Sequence, residues 1–220
     1  MASIAERIAE IKKEIPAATQ LVAVSKYFPA EAIVEAYQAG QRVFGESRAQ
    51  ELKEKYAQLP KDIEWHFIGH LQLNKVKYIA PFISLIHGVD SFKLLQEIDR
   101  QAAKHQRTIE CLLQLHVACE ETKFGYSPQE CLEMLSQKEW KQLSHIKIRG
   151  VMCMASNVED EEQIAQEFGT AQAFFQEAKT KFFPTDKDFN ICSWGMSDDY
   201  HIAIKQGSNM IRIGSKIFKS

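Results

Sequence analysis

The sequence predicts a (β/α)8 barrel, in which eight parallel strands, each followed by a helix, close into a cylinder. Short, continuous apolar runs, which are typical of strands buried on both faces, alternate with amphipathic helical patterns along the whole chain. The 220 residues contain no long linker, no low-complexity segment and no shift in composition. We therefore expect one domain over residues 1–220. An open doubly wound sheet is the alternative architecture.

The predicted strands are short apolar runs bounded by turn-forming or polar residues. They cover residues 21–24, 42–45, 65–69, 83–87, 109–117, 146–152, 189–192 and 210–213. The first of them, LVAV, has no polar alternation, as expected for a strand covered on both faces.

The predicted helices are identified by apolar periodicity and by their end signals. They cover about 2–15, 30–39, 47–58, 73–80, 91–105, a segment opened by Ser127-Pro128, 159–181 and 198–206. Gly40 ends the second helix, and Ser91 is placed as the N-cap of the fifth. The first helix is extra to the repeat, so we expect it to cover part of the outside of the barrel.

Composition excludes several classes of protein. The net charge of −2 provides no strong field for nucleic acid or an anionic membrane, and no apolar run is long enough to span a bilayer. The N-terminal segment lacks the apolar core of a secretory signal. Five widely spaced cysteines without a CxxC pair are typical of reduced thiols, so we expect a cytoplasmic protein.

Lys26 is the first candidate functional residue. It follows the buried strand 21–24 directly, at the carboxyl end where parallel α/β folds collect their functional groups. A lysine above an apolar floor can supply the neutral amine that forms a Schiff base with a carbonyl compound. The alternative is that Lys26 ends a strand and points to water.

The loops after the seventh and eighth strands form the second candidate site. Ser197 is placed as the N-cap of the helix that follows, and Gly214 permits close approach of backbone to a ligand. In barrels these two loops commonly hold a phosphate. The alternative is a pair of ordinary strand–helix junctions. Because the eighth strand neighbours the first in a closed barrel, an amine and a phosphate site would lie side by side, which suits pyridoxal 5′-phosphate.

Seven motifs carry a resemblance to a known family. They are AVSK at 23–26, FGE at 44–46 with QE at 50–51, WHFIGHLQLNK at 65–75, TKFG at 122–125, RGVM at 149–152, GMSDD at 195–199 and IRIGSKIF at 211–218. With them the chain resembles the pyridoxal phosphate homeostasis proteins, the YggS/PROSC family, and especially its cyanobacterial members. That family shares the TIM barrel of the alanine-racemase N-terminal-domain type.

The resemblance implies a set of cofactor-binding residues. Lys26 would carry pyridoxal 5′-phosphate covalently, Ser197, Gly214 and Ser215 would hold its phosphate, and Arg212 would face the pyridine nitrogen. We include Met196 in the same predicted set of cofactor-binding residues.

Two positions depart from the family. Ser47 stands where Asn is frequent, so no contact is inferred there, and the chain ends IFKS where many members have a glycine after IF.

The resemblance leaves two main classes of function. One is a protein that buffers or delivers pyridoxal phosphate intracellularly, without catalysis, as a monomer that contacts apoenzymes transiently. The other is an amino-acid racemase, which needs acid–base groups on both faces of the cofactor. Only Tyr27 and Tyr200 are expected near the mouth, no second domain is evident, and Arg212 would weaken the electron sink, so we favour the non-enzyme. A phosphosugar isomerase on the same barrel explains Lys26 less well.

Other polar residues are assigned structural roles. His66 and His70 are spaced i, i+4, but Gly69 between them indicates a strand and loop, which does not favour a metal site. Asp198 and Asp199 are interpreted as a solvated helix start. Arg149 is expected in a structural ion pair.

Overall fold

The computed structural model describes residues 2–119 and 124–219. Eight parallel strands pair in chain order, and the last pairs with the first to close a barrel. The strands are β1 (Gln20–Val24), β2 (Val43–Glu46), β3 (Glu64–Phe67), β4 (Leu85–Val89), β5 (Ile109–His116), β6 (Ile146–Met154), β7 (Ile191–Ser193) and β8 (Met210–Ile213). The predicted (β/α)8 barrel is confirmed, and the open sheet is excluded.

Helices follow the strands on the outside of the barrel. They are α1 (Ile4–Glu14), α2 (Ala30–Gln38), α3 (Ala49–Gln58), α4 (Val76–Ile79), α5 (Phe92–Lys104), α6 (Pro128–Gln137), α7 (Glu161–Phe182), α8 (Tyr200–Lys205) and α9 (Ser215–Phe218), with 3₁₀ turns at Leu73–Lys75 and Glu139–Gln142. The N-cap predicted at Ser91 is confirmed, since its side chain accepts the Leu94 N–H, and the helix opened by Ser127-Pro128 starts as predicted, with Ser127 as its N-cap.

Strand β4, predicted over 83–87, is shifted by two residues at both ends. Ile83 is fully buried but precedes the strand. The Arg107 guanidinium donates to the carbonyls of Ala80 and Ile83, at 2.7 and 2.8 Å. A side chain from the next unit therefore satisfies backbone groups that a strand ladder would otherwise use.

The buried apolar residues form two layers. The larger packs between helices and strands, and the smaller fills the barrel interior with Val22, Val43, Leu85, Leu112, Met152 and Met210. Met154 packs against this inner cluster. The members on β1, β4, β6 and β8 each lie two residues before a side chain at the carboxyl end, so the cluster forms an apolar floor beneath the site.

The extra helix α1 packs outside the barrel, against α2 and α9. Its residues Ile4, Ile8 and Ile11 are buried, as their spacing predicts. The Arg7 guanidinium donates to the Lys219 carbonyl at 2.5 Å, which ties α1 to the segment after α9. Among the described residues, no helix combines the length and apolar composition needed to cross a bilayer.

Candidate functional site

All six residues predicted to bind a cofactor line one cavity of about 350 Å³ at the carboxyl end of the barrel. They are Lys26, Met196, Ser197, Arg212, Gly214 and Ser215. The remaining lining comes from Val24, Tyr27, Phe28, Ile68, Met154, Asp198 and Lys219. The cavity therefore joins the end of β1 to the loops after β7 and β8, as the pairing of β8 with β1 requires.

Lys26 lies in a tight turn after β1. The turn is closed by the Phe28 N–H, which donates to the Ser25 carbonyl at 3.1 Å. Tyr27 occupies the third position of the turn with φ of 70°, in the left-handed region that bulky residues rarely adopt. Lys26 is half-buried, and its side chain lines the cavity rather than only pointing to bulk water.

A polar cluster that the sequence reasoning missed supports this turn from the side of α3. Lys55, nearly buried, donates to Glu46 Oε1 and Glu51 Oε1, each at 2.7 Å, and to the Ser25 carbonyl at 2.9 Å. The Ser25 hydroxyl donates to the same Glu46 oxygen at 2.7 Å, and the Tyr27 N–H donates to Glu51 Oε1 at 3.1 Å. The FGE and QE motifs contain both carboxylates, so a signal was present in the sequence, but their shared partner was not identifiable.

The pKa values of the two carboxylates in this cluster are shifted in opposite directions. Burial raises the pKa of Glu46, and the hydrogen bonds from Lys55 and Ser25 offset only part of that effect. Burial also acts to raise the pKa of Glu51, but its bonds from Lys55 and the Tyr27 N–H outweigh it, and the net pKa is lowered. Glu51 is therefore the firmly ionised member of the cluster.

The loop after β7 differs from its prediction at Ser197. Helix α8 begins at Tyr200 with Asp199 as its N-cap, so the placement of Ser197 as N-cap is wrong. The Asp199 carboxylate instead accepts the Met196 N–H at 2.5 Å, which holds the loop closed and buries Asp199. The interpretation of Asp199 as part of a solvated helix start is also wrong, whereas Asp198 is exposed at the cavity.

Glycine shapes both loops. Gly195 has φ of 95°, and a Cβ there would lie 2.6 Å from the Ala203 Cβ. At Gly214, a Cβ would lie 3.1 Å from the Val24 carbonyl oxygen and 3.2 Å from its Cβ. Gly214 therefore permits a close approach of its backbone to β1, and it also lines the cavity.

The two loops leave hydrogen-bond donors free for a ligand. Within the described residues, no acceptor is bonded to the backbone N–H of Ser197 or Ser215, and both residues line the cavity. Unpartnered N–H groups, a lysine amine and an arginine at one cavity match the chemistry of a small phosphorylated carbonyl compound. The residues present therefore fit the cofactor that the sequence predicts.

A chain of polar side chains crosses the barrel interior beneath the cavity. The Arg212 guanidinium, 3% exposed, donates at 2.7 Å to both the carbonyl and the hydroxyl of Ser193, and at 2.9 Å to the Cys153 carbonyl. Ser193 Oγ lies 3.0 Å from His87 Nδ1, and His87 Nε2 lies 3.0 Å from His66 Nδ1. Because Arg212 can only donate, the Ser193 carbonyl and hydroxyl oxygens both accept from it.

His66 and His87, the two histidines in this row of polar side chains, are both neutral. Burial lowers the pKa of His66 to about 3. Burial, with the charges of His66 and Arg212, places the pKa of His87 well below its ordinary value. Burial lowers the pKa of Arg212 also, but a guanidinium keeps its proton at physiological pH.

His70 and Arg149, which the sequence assigned to structural roles, do not line the cavity. His70 pairs with Asp90 at 2.9 Å, away from His66, and the described residues include no cluster of three or more metal-ligating side chains. Arg149 forms the predicted ion pair, with Glu110. The TKFG motif includes Thr122 and Lys123, which lie outside the described residues.

Tyr200 is not at the mouth of the barrel, as the sequence reasoning expected. It is fully buried, and its hydroxyl donates to Glu14 Oε2 at 2.5 Å. Burial, with that hydrogen bond, raises the pKa of Tyr200 above its ordinary value. The residue therefore fixes α8 to α1.

Comparison with known proteins agrees with this geometry. The family model of the alanine racemase N-terminal domain matches residues 1–220. A pyridoxal phosphate homeostasis protein of Helicobacter pylori is 39% identical over 202 residues, which cover 91% of this chain and 87% of that protein. A second pyridoxal phosphate homeostasis protein, from Schizosaccharomyces pombe, is 35% identical over 205 residues, which cover 91% of this chain and 83% of that protein.

Solved structures give the same result. PipY of Synechococcus elongatus PCC7942 superposes with a TM-score of 0.92 in its form without PLP. Its form with PLP bound superposes with a TM-score of 0.89. Each is 36% identical, over 98% of this chain and 100% of that one. The chain belongs to the alanine racemase N-terminal domain family, and within it to the pyridoxal phosphate homeostasis proteins.

Proposed function

We propose that this chain, as one domain over residues 1–220, binds pyridoxal 5′-phosphate covalently through Lys26. In this proposal it serves intracellular homeostasis of that cofactor by buffering or delivering it, without catalysis. The observation that carries the proposal is the single cavity that Lys26 and Arg212 share with the free N–H groups of Ser197 and Ser215. The relatives named for this role, and the PLP bound in PipY, support it.

The residues proposed to bind the cofactor have different parts in binding. The Lys26 amine supplies the nucleophile for the aldehyde, and the two loops after β7 and β8 supply donors for the phosphate. Arg212, held in place by Ser193 and Cys153, would face the ring nitrogen, as the family resemblance implies, and its charge would disfavour protonation of that nitrogen. Met196, 40% exposed, lines the same cavity and would contact the bound cofactor. When bound, the cofactor supplies an electron sink, which an unprotonated ring makes weaker.

The alternative function is amino-acid racemisation. It needs a positioned acid or base on each face of the cofactor, and the loss of one typically costs about 10²–10⁴-fold in rate. Tyr200 is bound to Glu14 away from the cavity, and Tyr27 is 64% exposed beside Lys26. These positions disfavour a second acid–base group on the opposite face.

The covalent attachment is tested by trapping. We expect the purified protein with pyridoxal phosphate to show a visible imine absorption band. After borohydride reduction, peptide mass mapping should place the pyridoxyl group on Lys26. A Lys26→Ala variant should lose the band and the label. A label on Lys75 or Lys123 in the native chain would contradict the assignment.

The absence of catalysis is tested by turnover. We expect the loaded protein to transfer cofactor to an apo-transaminase and to form no D-amino acid from L-alanine or from a panel of other L-amino acids. Racemisation at about 1 per second or faster would show an ordinary enzyme and overturn the proposal.

The proposed location is the cytoplasm, and the proposed state is a monomer that contacts apoenzymes transiently. Each of the five cysteines is a free thiol, and four are buried. Burial raises the pKa of Cys192 to about 12, which keeps that thiol unreactive. Sedimentation of the purified protein at several concentrations would test the monomeric state.

A further inference from the structure

We propose that Glu46, Glu51 and Lys55, here called the turn clamp, are positioning residues that hold the turn after β1 so that the Lys26 amine faces the cavity. This inference rests on the proposed function and extends it to residues that do not line the cavity. The FGE and QE motifs, which mark the family but have no role in binding so far, contain both carboxylates of the clamp.

The clamp holds the residues on both sides of Lys26. On one side, Ser25 is fixed twice: its hydroxyl donates to Glu46 at 2.7 Å, and its carbonyl accepts from Lys55 at 2.9 Å. On the other side, the Tyr27 N–H donates to Glu51 at 3.1 Å. The backbone of Lys26 thus has little freedom to rotate, whereas its side chain is left unrestrained by these bonds.

The conformation of Tyr27 supports an imposed turn. Its φ of 70° is unfavourable for a bulky residue, and such a conformation persists only where the surroundings hold it. The Tyr27 ring is 64% exposed, and the Arg48 guanidinium lies 4.8 Å from its centroid. The backbone itself is held by the bond from the Tyr27 N–H to Glu51 and by the closing bond from the Phe28 N–H to Ser25.

The burial of the clamp also favours a positioning role over simple stabilisation. The Lys55 and Glu46 side chains are 9% and 0% exposed. Glu46 Oε2 is buried with no hydrogen-bond partner among the described residues. Buried charges of this kind are frequently no more stabilising than apolar residues of similar volume. Their hydrogen bonds, however, are directional, so they can fix the orientation of the turn.

The test uses Glu51, because its side chain is 25% exposed and its removal leaves Lys55 paired with Glu46. Affinity is measured for pyridoxal 5′-phosphate and for pyridoxamine 5′-phosphate, which keeps ring and phosphate but cannot form an imine with lysine. We expect Glu51→Ala to weaken binding of the aldehyde about tenfold, as for one lost charge-assisted hydrogen bond. Binding of the amine should stay within about twofold of the native value, since the phosphate loops are untouched.

Two further variants sharpen the comparison. Glu51→Gln keeps an oxygen that accepts the Tyr27 N–H, so it should recover most of the lost affinity. Glu161→Ala removes another first-turn glutamate, from the start of α7, and should leave both affinities unchanged. Equal loss of both ligands in Glu51→Ala, or loss of neither, would overturn the positioning role.

A measurement without cofactor separates this inference from the proposed function. Hydrogen exchange of the Tyr27 amide should be faster in Glu51→Ala than in the native protein, and Glu51→Gln should restore its protection. Unchanged exchange would overturn the clamp by itself. Failure of the native protein to bind pyridoxal phosphate would instead refute the proposed function, and it would be evident before any substitution is made.

Discussion

His66 and His87 show how a single buried residue sets a property of the whole protein. Each ring is neutral inside the barrel, because burial disfavours the charged form. In the unfolded chain a histidine has a pKa of about 6.5. The unfolded state therefore binds protons that the folded state does not, once the pH falls below that value.

The stability of the protein should fall with acid for this reason. The contribution of His66 is complete above pH of about 6.5 and is lost as the pH falls towards its folded pKa of about 3. Between pH 7 and 5 this amounts to roughly 2 kcal/mol of the free energy of unfolding. Urea unfolding over this range should show a smaller pH slope in a His66→Gln variant than in the native protein. Equal slopes would show that His66 is already charged in the fold.

At the residue scale, the sequence predicted the groups that lie next to strand ends. Lys26, Ser197 and Ser215 all line the cavity, because the position of a residue after a strand decides which end of the barrel it reaches. The clamp partner Lys55 was not predictable. Its reach to Ser25 and Glu46 depends on how α3 packs over β2, which no local pattern encodes.

Two glycines differ in whether the element that contains them requires the absence of a side chain. Gly150 lies in β6, where it pairs with Ile191 of β7, and its φ is 152°. A Cβ at this position would lie 1.9 Å from the Ile191 carbonyl oxygen. Gly169 lies within α7, where a Cβ would meet only Gln206 Oε1, at 3.6 Å. The first glycine is required by the strand pairing, and the second is not.

Alanine at these positions should change stability in opposite directions. Gly150→Ala should lower the free energy of unfolding by about 2 kcal/mol or more, because backbone must move apart. Gly169→Ala should raise it by about 0.5–1 kcal/mol, since alanine favours helix over glycine. Chemical unfolding of both variants measures the two effects. A destabilised Gly169→Ala would mean that α7 lacks the space the structure shows.

At the element scale, the predicted strands and helices matched the observed ones where apolar runs and capping residues were clear in the sequence. Strand β4 begins later than predicted because Arg107, from a later unit, donates to the backbone carbonyls of Ala80 and Ile83, which precede the strand. Helix α8 was displaced at its start because Asp199 bonds back to Met196. Both departures arise from a side chain that competes for backbone groups, an effect that periodicity does not report.

At the scale of the whole molecule, ligand binding should be visible as added thermal stability. A ligand that binds only the folded state contributes about 2.7 kcal/mol at a hundred times its dissociation constant. For a chain of this size, that corresponds to a rise in Tm of roughly 5–10 °C. Pyridoxal, which lacks the phosphate, should give a smaller rise at the same concentration. Equal rises would contradict a phosphate site at Ser197 and Ser215.

The apolar floor of the barrel has a kinetic consequence. Val22, Leu85, Met152 and Met210 pack together below the polar chain, so among the described residues apolar side chains fill the cylinder beneath the cavity. A molecule bound in the cavity would therefore enter and leave at the carboxyl end of the barrel. An apoenzyme that takes the cofactor directly, as we propose, would occupy the same end of the cavity that a replacement molecule needs. In the proposed function, handover and reloading would consequently be successive events.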